Sequence, residues 1–397
     1  MITNFNLRSF KSIRLLDLEL GQVNVFIGAN GSGKSNLLEA LGVLGAAAFG
    51  RVEDESLLRR GVRPGVPRLY KSAFPGVARG AESHILFEAK ESTGAKYSVT
   101  LWNPIDKPNP AWRFKTERLE RNPNDAIVVR HPAELKRRNP EQGYAALKAV
   151  ELEPGDAALG LMEDLRNFSI YSPNTPTLRG LVQDQQTREP LGLSGGRLPE
   201  AVKELLEEAK TNNALAEPME EVRELLDWAS DFAAGPSLDV SLSPSAARSR
   251  LVIEFTDRFM IKSRNKLTGF DASEGALYVL FAAVLALHPK APRSLAVDNV
   301  DQALNPLLAQ KLVGALCRWT IGNNTGRQWL LTAHNPAVLD ALPLNDDRVR
   351  LFTVDRDNKG QTRVNRIDVE KLLANRKDDW PVSRMWMNGL IGGVPNV

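Results

Sequence analysis

Residues 26–41 read FIGANGSGKSNLLEAL. Within them Gly28, Gly33, Lys34 and Ser35 satisfy G-x-x-x-x-G-K-[ST] without a mismatch. A short apolar run, QVNVFI at 22–27, precedes the glycines. A helical pattern follows, with Leu37, Leu38, Leu41 and Leu44 on one side. Strand, glycine turn and helix is the context in which this pattern cradles phosphate. The glycines let backbone N–H groups face the anion, and the helix N-terminus adds partial positive charge. Lys34 is placed to reach the β- and γ-phosphates, and Ser35 to hold Mg²⁺. Gly28, Asn30, Gly31, Ser32, Gly33, Lys34, Ser35 and Asn36 are therefore the expected nucleotide contacts, with ATP and Mg²⁺ the expected cofactors.

The bulk properties are those of a globular chain. It has 397 residues, 43% hydrophobic and 25% charged. A net charge of +3 is too small to argue for nucleic acid by itself. The single cysteine, Cys317, excludes an internal disulfide and a thiolate metal cluster. It lies in an apolar helical pattern and reads as a buried thiol. The four histidines have no paired spacing that suggests a zinc site. The first twenty residues alternate apolar and polar without the core of a signal peptide. No apolar run reaches the ~18 residues of a membrane span. The expectation is a cytoplasmic protein with no membrane partner.

Periodicity places strands at residues 2–8, 13–20 and 22–27, then four more at 84–90, 95–103, 111–118 and 126–130. Their alternation suits an antiparallel sheet with one wet face. Residues 51–80 read as irregular and basic, and 131–142 as a polar, proline-rich patch. Helices are expected at 143–151, 156–167, 199–211 and 217–233, with a loop-rich link at 172–197. Strands at 237–243 and 249–256 precede an apolar helix at 274–287. Beyond it come a strand at 294–298, a helix at 306–319, a strand at 327–332 and a helix at 336–341, then strands at 348–354 and 361–367.

Three further stretches bear on the phosphate loop. RSLAVDN is an apolar run ending in Asp298, and an aspartate at the carboxyl end of a core strand can hold the Mg²⁺ shell. In TGFDASEGALYVL, Ser273 and Gly275 open a helix, either as an anion site or as a simple N-cap. In WLLTAHNPAVLDAL, His334 follows a buried strand, to touch a γ-phosphate or merely to end the strand.

The order of these parts resembles the heads of ABC-class ATPases. The likeness is to the RecF/SMC branch, in particular the stand-alone OLD-like ATPases of bacterial defence systems. LRSFKSI with NVFIGANGSGKSNLLEAL resembles the first block of that group. YSPNTPTLRG with PLGLSGGRLPEAV resembles its middle block, and DASEGALYVLFAAVLALHP with SLAVDNVDQALNP and LLTAHNPAVLDAL its signature, Walker B and switch blocks. The resemblance implies an α/β ABC-type head, a mixed central sheet plus an antiparallel sheet lobe, with a short helical arm inserted. Residues 1–170 would form the N-terminal lobe, 171–235 the link and arm, and 236–397 the C-terminal lobe. It implies two heads closing face to face on ATP, or a higher oligomer. Ser273 and Gly275 of one would cap nucleotide held by the other, and His334 would sense the γ-phosphate.

One position departs from that pattern. The residue after the Walker B aspartate is normally a glutamate that polarises water, and here it is Asn299. An amide cannot accept the proton, and losing a positioned base costs roughly 10²–10⁴-fold. Slow hydrolysis is therefore expected, unless Asp301 substitutes. There is no Cys-x-x-Cys hook or sustained heptad run, which disfavours a long bridging coil. Too few residues follow His334 for a nuclease domain, so an effector in trans is expected to act. Two basic clusters, Arg59, Arg60, Arg63, Arg68 and Lys71, and Lys136, Arg137 and Arg138, could meet DNA or RNA phosphates or serve solubility. Trp380 and Trp386 could anchor a partner or dock on the chain itself. The functional expectation is a slow ATPase whose head dimerisation controls an effector in anti-phage defence. The alternatives are a DNA-binding repair ATPase and an ATP-locked scaffold.

Overall fold

The computed structural model describes residues 1–75, 84–130, 143–186, 188–239, 250–322, 325–368 and 380–393. The amino-terminal half supplies strands β1 (Ile2–Phe10), β2 (Ile13–Glu19), β3 (Val23–Ile27), β4 (His84–Glu91), β5 (Lys96–Trp102), β6 (Arg113–Asn122), β7 (Asp125–Arg130) and β8 (Ser169–Tyr171). Its helices are α1 (Lys34–Phe49), α2 (Asp54–Leu58), α3 (Pro67–Tyr70), α4 (Ala157–Asn167) and α5 (Thr175–Leu178). The carboxyl-terminal half adds β9 (Ala229–Pro236), β10 (Leu251–Asp257), β11 (Lys266–Thr268), β12 (Ser294–Val297), β13 (Gln328–Ala333), β14 (Val349–Arg356) and β15 (Thr362–Arg366). Its helices are α6 (Leu198–Thr211), α7 (Ala216–Leu225), α8 (Glu274–Leu287), α9 (Pro306–Gly322) and α10 (Val382–Met387).

The central sheet has the order β15-β14-β3-β13-β12-β8. Its inner strands are parallel, and β15 closes one edge antiparallel. Strands β3, β12 and β13 are buried along their whole length, as expected of parallel strands covered on both faces. One face, through Phe26, Ala296, Leu330 and Phe352, packs on α1 and α4, which pack in turn on the antiparallel sheet β2-β1-β4-β5-β6-β7. The other face, through Val25, Leu295 and Leu331, packs on α6 to α9 and on the small sheet β11-β10-β9. Helix α1 is thus enclosed between two sheets, which is why it is apolar almost all round.

The wet-face alternation expected of the antiparallel sheet holds in β4 and β5, where Phe87, Tyr97, Val99 and Leu101 point inward. The ABC-type layering is also present, with a mixed central sheet and an antiparallel lobe. The two helices expected as an arm, α6 and α7, lay Ala201, Val202, Leu205, Met219 and Val222 into the core shared with α8 and α9.

Several elements differ from expectation. The helix expected over 217–233 ends at Leu225, and Ala229–Pro236 is a strand. Phe232 there faces Phe255 of β10, so cross-strand packing overrides the helical reading. The strand expected at 237–243 begins as a 3-10 turn, Ser237–Asp239, and 240–249 fall outside the described residues. Helix 143–151 reduces to a 3-10 turn, Ala146–Ala149, and the helix at 336–341 is also 3-10. The short strands β8 and β11 and helices α2, α3 and α5 had no periodic signal long enough to read.

Candidate functional site

The phosphate loop runs from the end of β3 to the start of α1, beside the carboxyl ends of β12 and β13. Its glycines are required by contact as well as by conformation. A Cβ on Gly28 would lie 2.2 Å from the Val354 carbonyl oxygen. One on Gly33, whose φ is 113°, would lie 2.2 Å from Thr362 Oγ1. Asn30 and Gly31 are exposed at the tip of the loop. Ser32 is buried, with its hydroxyl lacking a hydrogen-bond partner.

Lys34 folds back over the loop and donates to the carbonyls of Gly28 at 2.7 Å and Ala29 at 3.1 Å. Burial pushes its ammonium down to about 8, against the opposing pull of Asp298 and Asp301. Ser35 Oγ donates to Asp298 Oδ2 at 2.9 Å, joining residues 263 positions apart in the chain. The second oxygen of Asp298 accepts from Thr332 Oγ1 at 2.6 Å. Thr332 Oγ1 in turn accepts from the Asn299 backbone N–H at 2.8 Å. Asp298 is therefore oriented from two sides, and the hard oxygens of Ser35 and Asp298 suit Mg²⁺. Thr332 was not singled out from the sequence; a hydroxyl two residues before His334 is the only signal it leaves.

Asn299 stands in the left-handed region, with φ 59°. Asparagine tolerates that conformation better than most residues. Asp301, the candidate substitute base, is buried and accepts from the backbone N–H of His334 at 2.8 Å and from that of Asn335. That carboxylate braces the turn after β13. His334 is held below its ordinary value first by burial and then by Lys34, while Asp301 and Asp298 pull the other way. It is neutral at pH 7 and can accept or donate one hydrogen bond.

Asn36 lies on the flank of the loop. Its amide donates to Ser12 Oγ at 2.7 Å, and Ser12 Oγ is 2.8 Å from Thr362 Oγ1. Thr362 Oγ1 reaches the Ser32 carbonyl at 2.7 Å. Arg356 Nε holds the Gly31 carbonyl at 3.0 Å. The β1–β2 turn, β14 and β15 thus brace the loop from outside, through contacts no local pattern announces.

Ser273 is exposed and caps α8, accepting from the Ala276 N–H at 3.3 Å. A Cβ on Gly275 would lie 3.3 Å from Leu308 and 3.6 Å from Leu304, so glycine there lets α8 approach the segment after β12 closely. Both readings of this helix start are compatible with its geometry.

The first basic cluster is dispersed. Arg60 and Lys71 are buried, Arg59 pairs with Glu55, and Arg63 pairs with Glu39 at 2.6 Å. These residues do not form one cationic face. The second cluster, Lys136 to Arg138, lies outside the described residues. Trp386 docks on the chain's own core, and the Arg384 guanidinium sits 3.9 Å over the Trp380 ring. Cys317 is buried, as expected, and its thiol is pushed up to about 12 by that burial. No helix among the described residues is long and apolar enough to cross a membrane.

Residues 23–126 match a family model described as an AAA domain, putative AbiEii toxin of a type IV toxin–antitoxin system. Part of the chain is 28% identical, over 196 residues, to the DNA replication and repair protein RecF of Corynebacterium jeikeium. That match covers 42% of this chain and 44% of the relative. RecF of Paenarthrobacter aurescens is 41% identical over 107 residues, covering 26% of this chain and 25% of the relative. The chain thus matches less than half the length of these curated relatives. Among solved structures, an Smc head bound to the C-terminal winged-helix domain of ScpA aligns over 94% of this chain and 99% of its own, with a TM-score of 0.52 at 14% identity. That likeness is one of fold.

Proposed function

For a chain that is an ABC-class ATPase head of the RecF/SMC group, we propose that it binds MgATP at the loop Gly28–Asn36 and hydrolyses it slowly. The observation that carries this reading is the 2.9 Å contact between Ser35 and Asp298, the two groups that would hold the metal. In bound MgATP the metal would neutralise charge between the β- and γ-phosphates. Lys34 would leave the carbonyls of Gly28 and Ala29 for phosphate oxygens. Neutral His334 would meet the γ-phosphate, its backbone fixed by Asp301. Asn299 would orient the attacking water without taking its proton, so turnover would be slow and the ATP-bound state long-lived.

Ser273 and Gly275 would complete the site of a second copy, closing two heads on ATP. Only ATP offers the contacts that favour the closed state, so ADP would release it. We assign this cycle to control of an effector in trans, in a cytoplasmic defence complex. The matched family description, which names a toxin–antitoxin system, supports that assignment. The partial identity to RecF favours a second reading, a DNA-maintenance ATPase whose ATP state controls loading on DNA.

The deciding experiment is MgATP turnover and binding by the purified protein, with Lys34→Ala as control. Binding with slow turnover, both lost in the control, is the expected result. Absence of ATP binding would remove the proposal. DNA affinity that depends on salt and changes with ATP would select the second reading.

A further inference from the structure

Helix α1 carries the phosphate loop at its start. At its other end, about 24 Å away along sixteen residues, lies a cavity of 690 Å³. Six cationic side chains line it: Arg51, Arg59 and Arg60 flank α2, Lys148 lies in the turn Ala146–Ala149, Arg166 is in α4, and Arg188 lies beyond α5. Among the described residues, two carboxylates face them, Glu53 and Glu55, and these are taken by Arg51 and Arg59. Among the described residues Arg60, Arg166 and Arg188 have no carboxylate partner. They donate instead to main-chain carbonyls. Arg60 reaches Ser56 at 2.9 Å and Arg166 at 2.8 Å, Arg166 reaches Ala48 at 3.1 Å, and Arg188 reaches Asn167 at 2.7 Å.

Those carbonyls belong to the last turns of α1, α2 and α4, and their partial negative charge offsets only part of the cluster. Three guanidiniums gathered at one cavity with no carboxylate partner among the described residues are costly unless an anion joins them. Arg60 records the strain: burial, then Arg188 and Arg59, bring its guanidinium down to about 10. The rim adds two exposed aromatic rings, Phe49 and Tyr144. The Arg60 guanidinium lies 5.2 Å from the Phe49 ring, and Lys148 Nζ lies 5.1 Å from the Tyr144 ring. Cations inside and flat apolar surface at the mouth match a ligand with a phosphate at one end and an aromatic base at the other. The volume is that of a small-molecule site.

We propose that this cavity is a second ligand site, separate from the phosphate loop, that takes a small phosphorylated molecule of nucleotide class. It is placed to communicate with the first. Strand β8 starts at Ser169, whose hydroxyl is held by Arg188, and ends at Tyr171, whose carbonyl accepts the Asp298 N–H at 2.9 Å. The Arg60 carbonyl accepts the Ile170 N–H between them at 2.9 Å. A ligand that draws Arg60 and Arg188 toward it therefore acts on β8, the edge strand that pairs with β12 and whose Tyr171 carbonyl holds the Asp298 N–H.

The test uses the full-length Lys34→Ala protein in EDTA, which weakens binding at the phosphate loop. The probe is a fluorescent N-methylanthraniloyl-AMP, with inorganic tripolyphosphate and a 5′-phosphorylated oligonucleotide as competitors. Saturable one-to-one binding is expected. It should weaken roughly tenfold or more when Arg51→Glu and Lys148→Glu are added, because two charge-assisted contacts are lost. Both substitutions are at the rim, and an unchanged melting temperature checks the fold. Arg188→Ala, which removes one of the guanidiniums without a carboxylate partner among the described residues, should weaken binding without the reversed charge. Tripolyphosphate should compete, which identifies phosphate as the recognised chemistry. Binding indifferent to both sets of substitutions, or no saturable binding, overturns the proposal. An oligonucleotide that binds tenfold more tightly than the probe also overturns it, by assigning the cavity to a strand end.

Discussion

Asn299 combines a loss and a fit. It lacks the basicity that a glutamate would bring, yet it occupies a left-handed backbone position that asparagine holds at low cost. Asn299→Glu should therefore raise steady-state MgATP turnover by roughly 10²-fold, within the span of a positioned general base. It should also cost about 1 kcal/mol of stability, through the strained φ. Turnover and thermal melting of the same variant separate the two effects; unchanged turnover would sink the role given to position 299. Lys34 makes a second prediction at this scale. Its free ammonium titrates near 8 and not near 10.5, because burial outweighs the nearby aspartates. Phosphate needs the charged form, and bound phosphate would raise the value. The dissociation constant for MgATP should then be flat below about pH 7 and rise by up to about tenfold per unit above about pH 8. Calorimetric titration across that range, with Lys34→Arg as a variant that should lose the effect, checks it. A flat profile through about pH 9 would mean Lys34 does not carry the affinity.

At the scale of elements, the turn after β13 is the part that distinguishes a base from a brace. Asp301 accepts two successive N–H groups there, those of His334 and Asn335. Asp301→Asn keeps an acceptor oxygen, so turnover should stay within about threefold of the parent; Asp301→Ala leaves both donors unmet and should cost about 1–3 kcal/mol, with a matching fall in turnover. Equal loss in the two variants would instead mark Asp301 as the proton acceptor. This difference was not legible in the sequence. Gly28 to Ser35 could be read there because their spacing is local and their flanking elements are strongly patterned. Asp298 and His334 could be placed at strand ends for the same reason. Asp301, Thr332, Ser12 and Thr362 act through contacts between segments up to 350 residues apart, and a single chain carries no periodic trace of such pairing. The same holds for β9, where the pairing of Phe232 with Phe255 decides the conformation against a local helical pattern.

For the whole molecule, the unresolved chemistry is whether one head suffices. Ser273 is exposed at the start of α8, where its hydroxyl caps its own helix and remains accessible to a second copy. If two heads close face to face, each nucleotide site combines Lys34 of one copy with Ser273 of the other. Lys34→Ala and Ser273→Arg should then each abolish ATP-dependent dimerisation and most turnover, the second by bulk and charge at the contact. Mixed in equal amounts, they can form a heterodimer in which one site carries both lesions and the other carries neither. Turnover should reappear on mixing, to at most roughly half of the parent rate, because only heterodimers close and one of their two sites is intact. Light scattering with ATP, and with ADP as the open-state control, follows the assembly in parallel. Failure of the mixture to recover, while Ser273→Arg alone still hydrolyses ATP as a monomer, would assign the whole reaction to a single chain and leave Ser273 as a helix cap.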